Sequence, residues 1–390
     1  MEPVPTSGLK GVVRVCEGFL VNEFDVIVVG LGAMGSAAAF QLSRRGQRVL
    51  GLDRFHPPHT QGSSHGRSRI IREAYFEHPD YVPLVQRAYE LWGDLEQLSG
   101  RRLFRRTGGL MIGSPGGVLV QGSLRSAREH GLAHEVLTAA DLVQRYGIFQ
   151  PDPSMLAVLE PRAGVLFPEE IISTHLDLAG RQGATFRFDE RVVGWEAGDR
   201  GVTVSTERGK FTASRLLLSA GAWMNELLPG STLPLSIERQ VLCWFEPRAE
   251  REAWRGCPVY LWEYGAGNFF YGFPDLGDGV KVAVHHQGEP ADPNAVRGEA
   301  REVDVSMLRE LLRRFLPSAE GKLNSSAVCL YTNTPDENFV IDFHPRSRRV
   351  LVASPCSGHG FKFSSVVGEI AAQMLSGERP GVGIGLFSWG

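Results

Sequence analysis

The chain has 390 residues, 43% hydrophobic and 22% charged, enough for one large or two interlocked domains around a sizeable core. Its 41 Lys and Arg against 44 Asp and Glu leave a net charge of −3, so no basic excess draws it to nucleic acid or to an anionic membrane surface. Five scattered cysteines without a CxxC pair exclude a disulfide framework or a zinc site and fit a reducing compartment, and no apolar run approaches the ~20 residues of a membrane span.

Residues 1–23 lack a long apolar stretch and a small-residue cleavage site, and read as an extension ahead of the first domain. The stretch Asp25 to Asp53 follows. The apolar run Val26-Ile27-Val28-Val29 predicts a strand. Gly30-x-Gly32-x-x-Gly35 predicts a tight turn, and Ser36-Ala37-Ala38-Ala39 a helix packed closely on the strand. A second strand, Val49 to Leu52, ends on Asp53, placed to accept a hydrogen bond from a ribose hydroxyl. Strand, glycine turn, helix and acid together predict a dinucleotide site, with the phosphates at the helix N-terminus. The choice between NAD and FAD stays open on these residues alone.

Next comes a polar segment, Arg54 to Arg69, then a helix from about Pro79 to Leu98 with Tyr81, Leu84, Val85, Ala88, Leu91, Trp92 and Leu95 on one face. Leu103 to Ile112 reads as one strand, Gly116 to His130 and Ala139 to Tyr146 as helices, and Gly164 to Phe167 as a strand running into a helix that reaches Ala179. Small antiparallel strands between Val192 and Ala213 lead into the apolar run Arg215 to Leu218, which ends on Ser219-Ala220-Gly221. From Ser236 to Gln287 aromatic strands follow one another without helices, so a separate antiparallel sheet is expected. Helices at Val303 to Phe315 and Ser364 to Leu375 flank further strands.

Four clusters carry chemistry. Ser63 to Arg72, SSHGRSRIIR, concentrates His65, Arg67, Arg69 and Arg72 beside the nucleotide turn; such a run is either a solvated loop or a site for an anionic group. Lys281 sits in the apolar strand Gly279 to His285, sharing a face with Ala283 and His285. Cys329 lies in the strand Ala327 to Thr332, where a buried apolar cysteine is the ordinary outcome. Gly358-His359-Gly360-Phe361-Lys362 precedes the last helix and offers backbone N–H groups and a cation.

With these motifs in this order (GLGAMG, SSHGRSRIIR, YGFP…GVKVAVHH, CLYTNTPDENFVID and SGHGFKFSS) the chain, from about Phe24 to Phe387, resembles the monomeric sarcosine oxidase family. That family includes N-methyltryptophan and sarcosine/pipecolate oxidases of the D-amino-acid-oxidase-like fold. The resemblance implies FAD, bonded through its 8α-methyl carbon to Cys329. It implies cofactor contacts at Gly30, Gly32, Gly35, Asp53, Gly358, His359, Gly360 and Lys362. It gives Lys281 the activation of oxygen, places Arg69 over the other flavin face, and makes His65 and His285 active-site histidines. Arg72 and Lys362 match the carboxylate-binding pair, and Tyr271 and Tyr331 the pocket tyrosines. Two positions depart from the family: Pro355-Cys356, where relatives carry Gly and a larger apolar residue, and Arg67, where an acid or polar residue is usual.

The implied fold is α/β (α+β), a discontinuous Rossmann-like FAD-binding domain (24–100, 155–230 and 325–390) with an antiparallel-sheet substrate domain (101–154 and 231–324) inserted in it. The expected activity is oxidation of a secondary amino acid by O2. Sarcosine leads, followed by pipecolate or another cyclic imino acid and then N-methyl-L-tryptophan; an NAD(P)-dependent dehydrogenase is the alternative from another class. The expected protein is a cytoplasmic monomer with no metal, whose partners are its amino-acid substrate and O2.

Overall fold

The computed structural model describes residues 23–228, 230, 233–286, 288–296, 298–354 and 357–389. The N-terminal extension and the Pro355-Cys356 pair therefore lie outside the described residues, apart from Glu23.

Two large sheets divide the described chain. In the first, β1 (Phe24–Val29) lies between β2 (Val49–Leu52) and the strand Lys210–Leu218, parallel to both. The strand Ser347–Ser354 joins the far side of Lys210–Leu218, again in parallel, and the Val192–Gly198 and Gly201–Thr206 hairpin extends its other half. Strands buried on both faces need helices on each side. The helix α1 (Ala33–Arg44) is such a cover, and nearly all of it is buried because its small residues let neighbours approach. It packs between the helices Pro168–Arg181 and Ser364–Leu375. A Cβ on Gly368 would stand 2.6 Å from the Ala37 carbonyl carbon, which shows how closely two helix backbones meet there.

The second sheet has nine strands. Its centre runs Ser236–Phe245, Val280–His285, Asn268–Gly272, all antiparallel neighbours. Two strands expected with the nucleotide domain, Leu156–Glu160 and Leu323–Asn333, hydrogen-bond into this sheet instead, the first beside Gly109–Gly113 and the second along the whole of Ser236–Phe245. The single strand expected from Leu103 to Ile112 is two, Phe104–Arg106 and Gly109–Gly113. Gly108, at φ +74°, turns the chain out of a small three-stranded sheet into the nine-stranded one.

The two-residue period of these strands sorts their side chains. One face is an aromatic core of Phe245, Trp262, Phe270 and Phe315 with Val280, Val282 and Val284. The other carries Leu242, Trp244, Ala283, Cys329, Tyr331 and Tyr271, with Lys281 and His285 in the same alternation. From that second face Tyr271, His285, Cys329 and Tyr331 line one cleft with Val29, Gly30 and Leu52 of the first sheet's β1 and β2 and the turn between them. Among the described residues no helix is long and apolar enough to cross a membrane.

Candidate active site

A single cleft runs from the glycine turn to the start of the last long helix. Its lining reaches from Val29, Gly30 and Asp53 at one end to Gly358 and Lys362 at the other.

At one end the Gly30 turn has φ +86°, and a Cβ there would lie 2.6 Å from the Ser219 carbonyl oxygen. Ser219 ties the turn down, its hydroxyl donating to the Val29 and Gly30 carbonyls at 3.0 and 2.9 Å. Gly35 stands behind the turn rather than in the cleft wall; its Cβ would be 1.7 Å from the Gly30 oxygen. Asp53 uses both oxygens on backbone, accepting the Leu31 N–H at 2.6 Å and the Phe55 N–H at 2.8 Å, and still lines the cleft. Arg54 Nη1 and Glu190 Oε1 are buried at this end without a hydrogen-bond partner, the nearest carboxylate to Arg54 being Glu226 at 3.6 Å.

At the other end the structure gathers Arg69, Arg72, Tyr271, His285, Cys329, Tyr331, Gly358, His359, Gly360 and Lys362 in one wall. Gly358, at φ +74°, passes so close that a Cβ would meet the Tyr331 ring at 2.4 Å and His285 at 2.9 Å. Cys329 is buried; burial raises its thiol pKa while Arg69 and Lys281 pull it back. Arg69 is fixed by the Ser68 and Ser63 carbonyls at 2.8 and 2.6 Å.

Lys281 and His65 stand behind this wall. The Lys281 ammonium donates to the Gly66 and Ser68 carbonyls, each at 2.8 Å, and to the Ser68 hydroxyl at 3.1 Å, so all three of its protons are taken. The rings of Phe273 and Trp244 lie 4.5 and 5.4 Å from its nitrogen. Burial, then Arg69, push its pKa well below the usual lysine range, and the three acceptors hold the proton on. His65 bonds the Gly62 carbonyl at 3.1 Å, and burial holds its pKa down to about 4, which makes it a neutral imidazole. His285, also driven neutral by burial, lies 3.4 Å from the Tyr331 hydroxyl. Arg67, the residue that departs from the family, is at φ +66°; it pairs with Asp278 and lies 5.0 Å over Trp244, on the indole that Lys281 also touches.

Lys362 occupies a buried 3-10 turn, Phe361–Phe363, and donates to the His359 carbonyl at 2.6 Å. Burial and the neighbouring Arg72 bring its pKa down to about 7. His359 Nε2 faces the Glu337 carbonyl at 3.0 Å, so it carries the proton, and Nδ1 accepts from the Tyr75 hydroxyl.

Sequence reasoning missed the partners of these groups. Arg72 is not free. Glu77 accepts from its Nη2 with both oxygens, at 2.8 and 2.7 Å, and the Ala74 carbonyl accepts from Nη1 at 3.0 Å. Against burial, Glu77 keeps the guanidinium charged and Arg72 holds Glu77 below the usual carboxylate range. Glu169 accepts from the Gly66 and Arg67 amides at 2.7 and 3.0 Å, fixing the loop whose carbonyls receive Lys281. Glu77 and Tyr75 are close in sequence to Arg72, and an acid five residues after a cationic cluster was the available signal; Glu169, about a hundred residues on, gave none.

These features suit FAD. Backbone without side chains approaches the nucleotide end, two buried polar atoms there lack partners, and a thiol and three cations, Arg69, Arg72 and Lys362, line the far end. The family described as FAD dependent oxidoreductase matches residues 25–374. A monomeric sarcosine oxidase of Streptomyces avermitilis is 44% identical over 370 residues, 93% of this chain and 96% of the relative. An N-methyl-L-tryptophan oxidase of Yersinia pestis is 36% identical over 369 residues, 94% and 98%. Among solved structures, NikD, an unusual amino acid oxidase essential for nikkomycin biosynthesis, superposes with a TM-score of 0.83 at 26% identity over 94% of this chain and 98% of its own. The chain belongs to the FAD-dependent oxidoreductases and, within them, to the monomeric sarcosine oxidase family.

Proposed function

We propose that this protein is an FAD-dependent oxidase of secondary amino acids whose first substrate is sarcosine, converted with O2 and water to glycine, formaldehyde and hydrogen peroxide. The observation that carries the reading is the pair of buried cations, Arg72 and Lys362, at the cleft end that also holds Cys329 and Arg69. An amino acid presents a carboxylate, and a buried fork with a buried point charge is a matched receptor for it. The similar sarcosine oxidase, at 44% identity, supports the same reading.

FAD, when bound, supplies the two-electron oxidation of the carbon–nitrogen bond and the delivery of those electrons to oxygen. Gly30, Gly32 and the α1 N-terminus would hold its phosphates, Asp53 would accept from the ribose, and Cys329 would be the residue to tether the ring system. Arg72 and Lys362 seat the substrate carboxylate, which displaces Glu77 from part of the Arg72 fork. His65 and His285, both held neutral by burial, add no positive charge to this end of the site. Tyr271 and Tyr331 close the pocket around the N-alkyl group. Lys281 places a fixed positive charge in a dry site, where negative charge on oxygen is stabilised without rearrangement. The resemblance points to one chain acting alone, and the buried free thiols of Cys243, Cys257 and Cys329 suit a reducing compartment such as the cytoplasm. We take the nucleotide and substrate domains to be intertwined, with the cleft between the two sheets as their shared site.

The test is hydrogen peroxide release from a panel of sarcosine, pipecolate, N-methyl-L-tryptophan and glycine. Sarcosine should give the highest kcat/KM; a pocket that prefers another member overturns the substrate, and no peroxide from any overturns the activity. Protein colour that persists through acid precipitation, and is lost in Cys329→Ser, checks the tether.

A further inference from the structure

Glu160 ends the strand Leu156–Glu160, behind the wall that carries Arg72, and is 1% exposed. Its Oε1 accepts the Glu73 N–H at 2.7 Å and its Oε2 the Ala74 N–H at 2.8 Å. These amides are the two that follow Arg72 in the chain. The Ala74 carbonyl in turn accepts from the Arg72 guanidinium. One carboxylate thus grips the short backbone piece against which the guanidinium is braced. We propose that Glu160 is a positioning residue for substrate binding: its ionised side chain clamps the Glu73–Ala74 backbone and so aims Arg72 at the substrate carboxylate. The proposal rests on the reading that Arg72 receives that carboxylate.

The chemistry demands an ionised group. Two N–H donors face two oxygens, and a protonated carboxyl would turn an O–H toward one of them. Several charged or titratable groups face the clamp. Glu73 is the nearest acid, itself 3.2 Å from Arg162. Arg72 lies on the same segment. Tyr89, on the helix Tyr81–Ser99, donates to the Arg162 carbonyl at 3.0 Å, and Arg106 reaches Glu73 and Tyr89 from the small sheet. Burial pushes the Glu160 carboxyl up to about 7; the two amides and Arg72 oppose this, and Glu73 reinforces it. A carboxyl raised in this way is ionised above about pH 7 and protonated below. The clamp is therefore present on the alkaline side and lost as pH falls through neutrality.

Calorimetric binding of acetate to the holoenzyme between pH 5.5 and 9, with sarcosine kinetics alongside, tests this, the pH range being chosen at about one to two units around that value. In Glu160→Gln we expect acetate Kd and sarcosine KM at pH 8 to rise about tenfold, as loss of one bond of this kind gives, with kcat within about twofold. The weakening on acidification that we expect of the wild type should be absent in that variant. Glu73→Gln removes the like charge facing Glu160, so the acid limb should move to lower pH while affinity at pH 8 stays as in the wild type. A folded Glu160→Gln protein with wild-type affinity and acid limb overturns the proposal. So does a Glu73→Gln protein whose acid limb stays in place, and this decides the matter if Glu160→Gln fails to fold. Arg72→Ala keeps the two readings apart. If it binds acetate normally, the role of Arg72 fails; if it loses acetate while Glu160→Gln does not, only the clamp fails.

Discussion

Lys281 is the residue where burial and chemistry pull hardest against each other. A buried amine sheds its proton unless acceptors repay the lost hydration, and here two carbonyls and a hydroxyl meet all three N–H bonds. Lys281→Met keeps the length and removes the charge. It should slow the reaction with oxygen at least ~100-fold, read by oxygen uptake, with acetate binding little changed. Lys362 differs because its pKa, brought down to about 7 by burial and Arg72, falls within the working range. A lysine lowered in this way is a cation below that value and neutral above it. Acetate affinity should therefore fall as pH rises past neutrality, and Lys362→Met should flatten that alkaline limb. Lys281 was singled out in the sequence mainly through motif resemblance, since its strand pattern fits an edge-strand lysine equally well, whereas Lys362 already stood out as a cation in a glycine-rich turn before a helix. Glu77 left only the weak signal of an acid five residues past Arg72, and Glu160 left none: its grip on two amides spans more than eighty residues and shows no period or spacing in the chain.

Among the elements, the strand–turn–helix of residues 24–44 was the most readable, because each glycine answers a contact. Gly35 is the sharpest case. Its missing side chain would overlap a backbone oxygen at 1.7 Å and the Ser219 hydroxyl at 2.7 Å, neither of which can swing away without opening the turn. Gly35→Ala should cost at least ~1–3 kcal/mol of stability in denaturant unfolding and weaken FAD retention. Gly93 gives the contrast: it is exposed within the helix Tyr81–Ser99, nothing lies within 4 Å of an added Cβ, and Gly93→Ala should stabilise by about 1 kcal/mol. Helices with strong apolar stripes or clear caps matched expectation to within two residues: Ser364–Leu375 and Ala139–Tyr146 are as expected, and the helix expected over Pro79 to Leu98 is Tyr81–Ser99. The break at Gly108 was invisible because Leu103 to Ile112 keeps strand-like residues on both sides of it. Only the pairing of the two halves with different sheets separates them.

Across the whole molecule, the wall of the cleft is drawn from widely separated stretches: residues 29–77 carry the glycine turn and three arginines, 261–285 the pocket aromatics, and 329–362 Cys329 and Lys362. Residue types were readable from the chain, but which strand belongs to which sheet was not. Leu323–Asn333 looks like a return to the nucleotide half and instead pairs along Ser236–Phe245, which is what brings Cys329 onto the face that carries Lys281. The parallel first sheet has a further consequence, for how the protein is made. β1 leaves the ribosome first, yet its neighbour Lys210–Leu218 is bordered by Ser347–Ser354, and α1 is covered by the helix Ser364–Leu375. At ~5–20 residues per second, the interval between these pieces is on the order of tens of seconds, during which the side of α1 that meets Ser364–Leu375 lacks its cover, while Pro168–Arg181 is already made. Since Cys329, Gly358 and Lys362 of the cleft also come late in the chain, flavin loading is expected to follow synthesis of the last helix. A chain ended at residue 346 should aggregate and purify without flavin absorbance, even though every residue of the glycine turn is present.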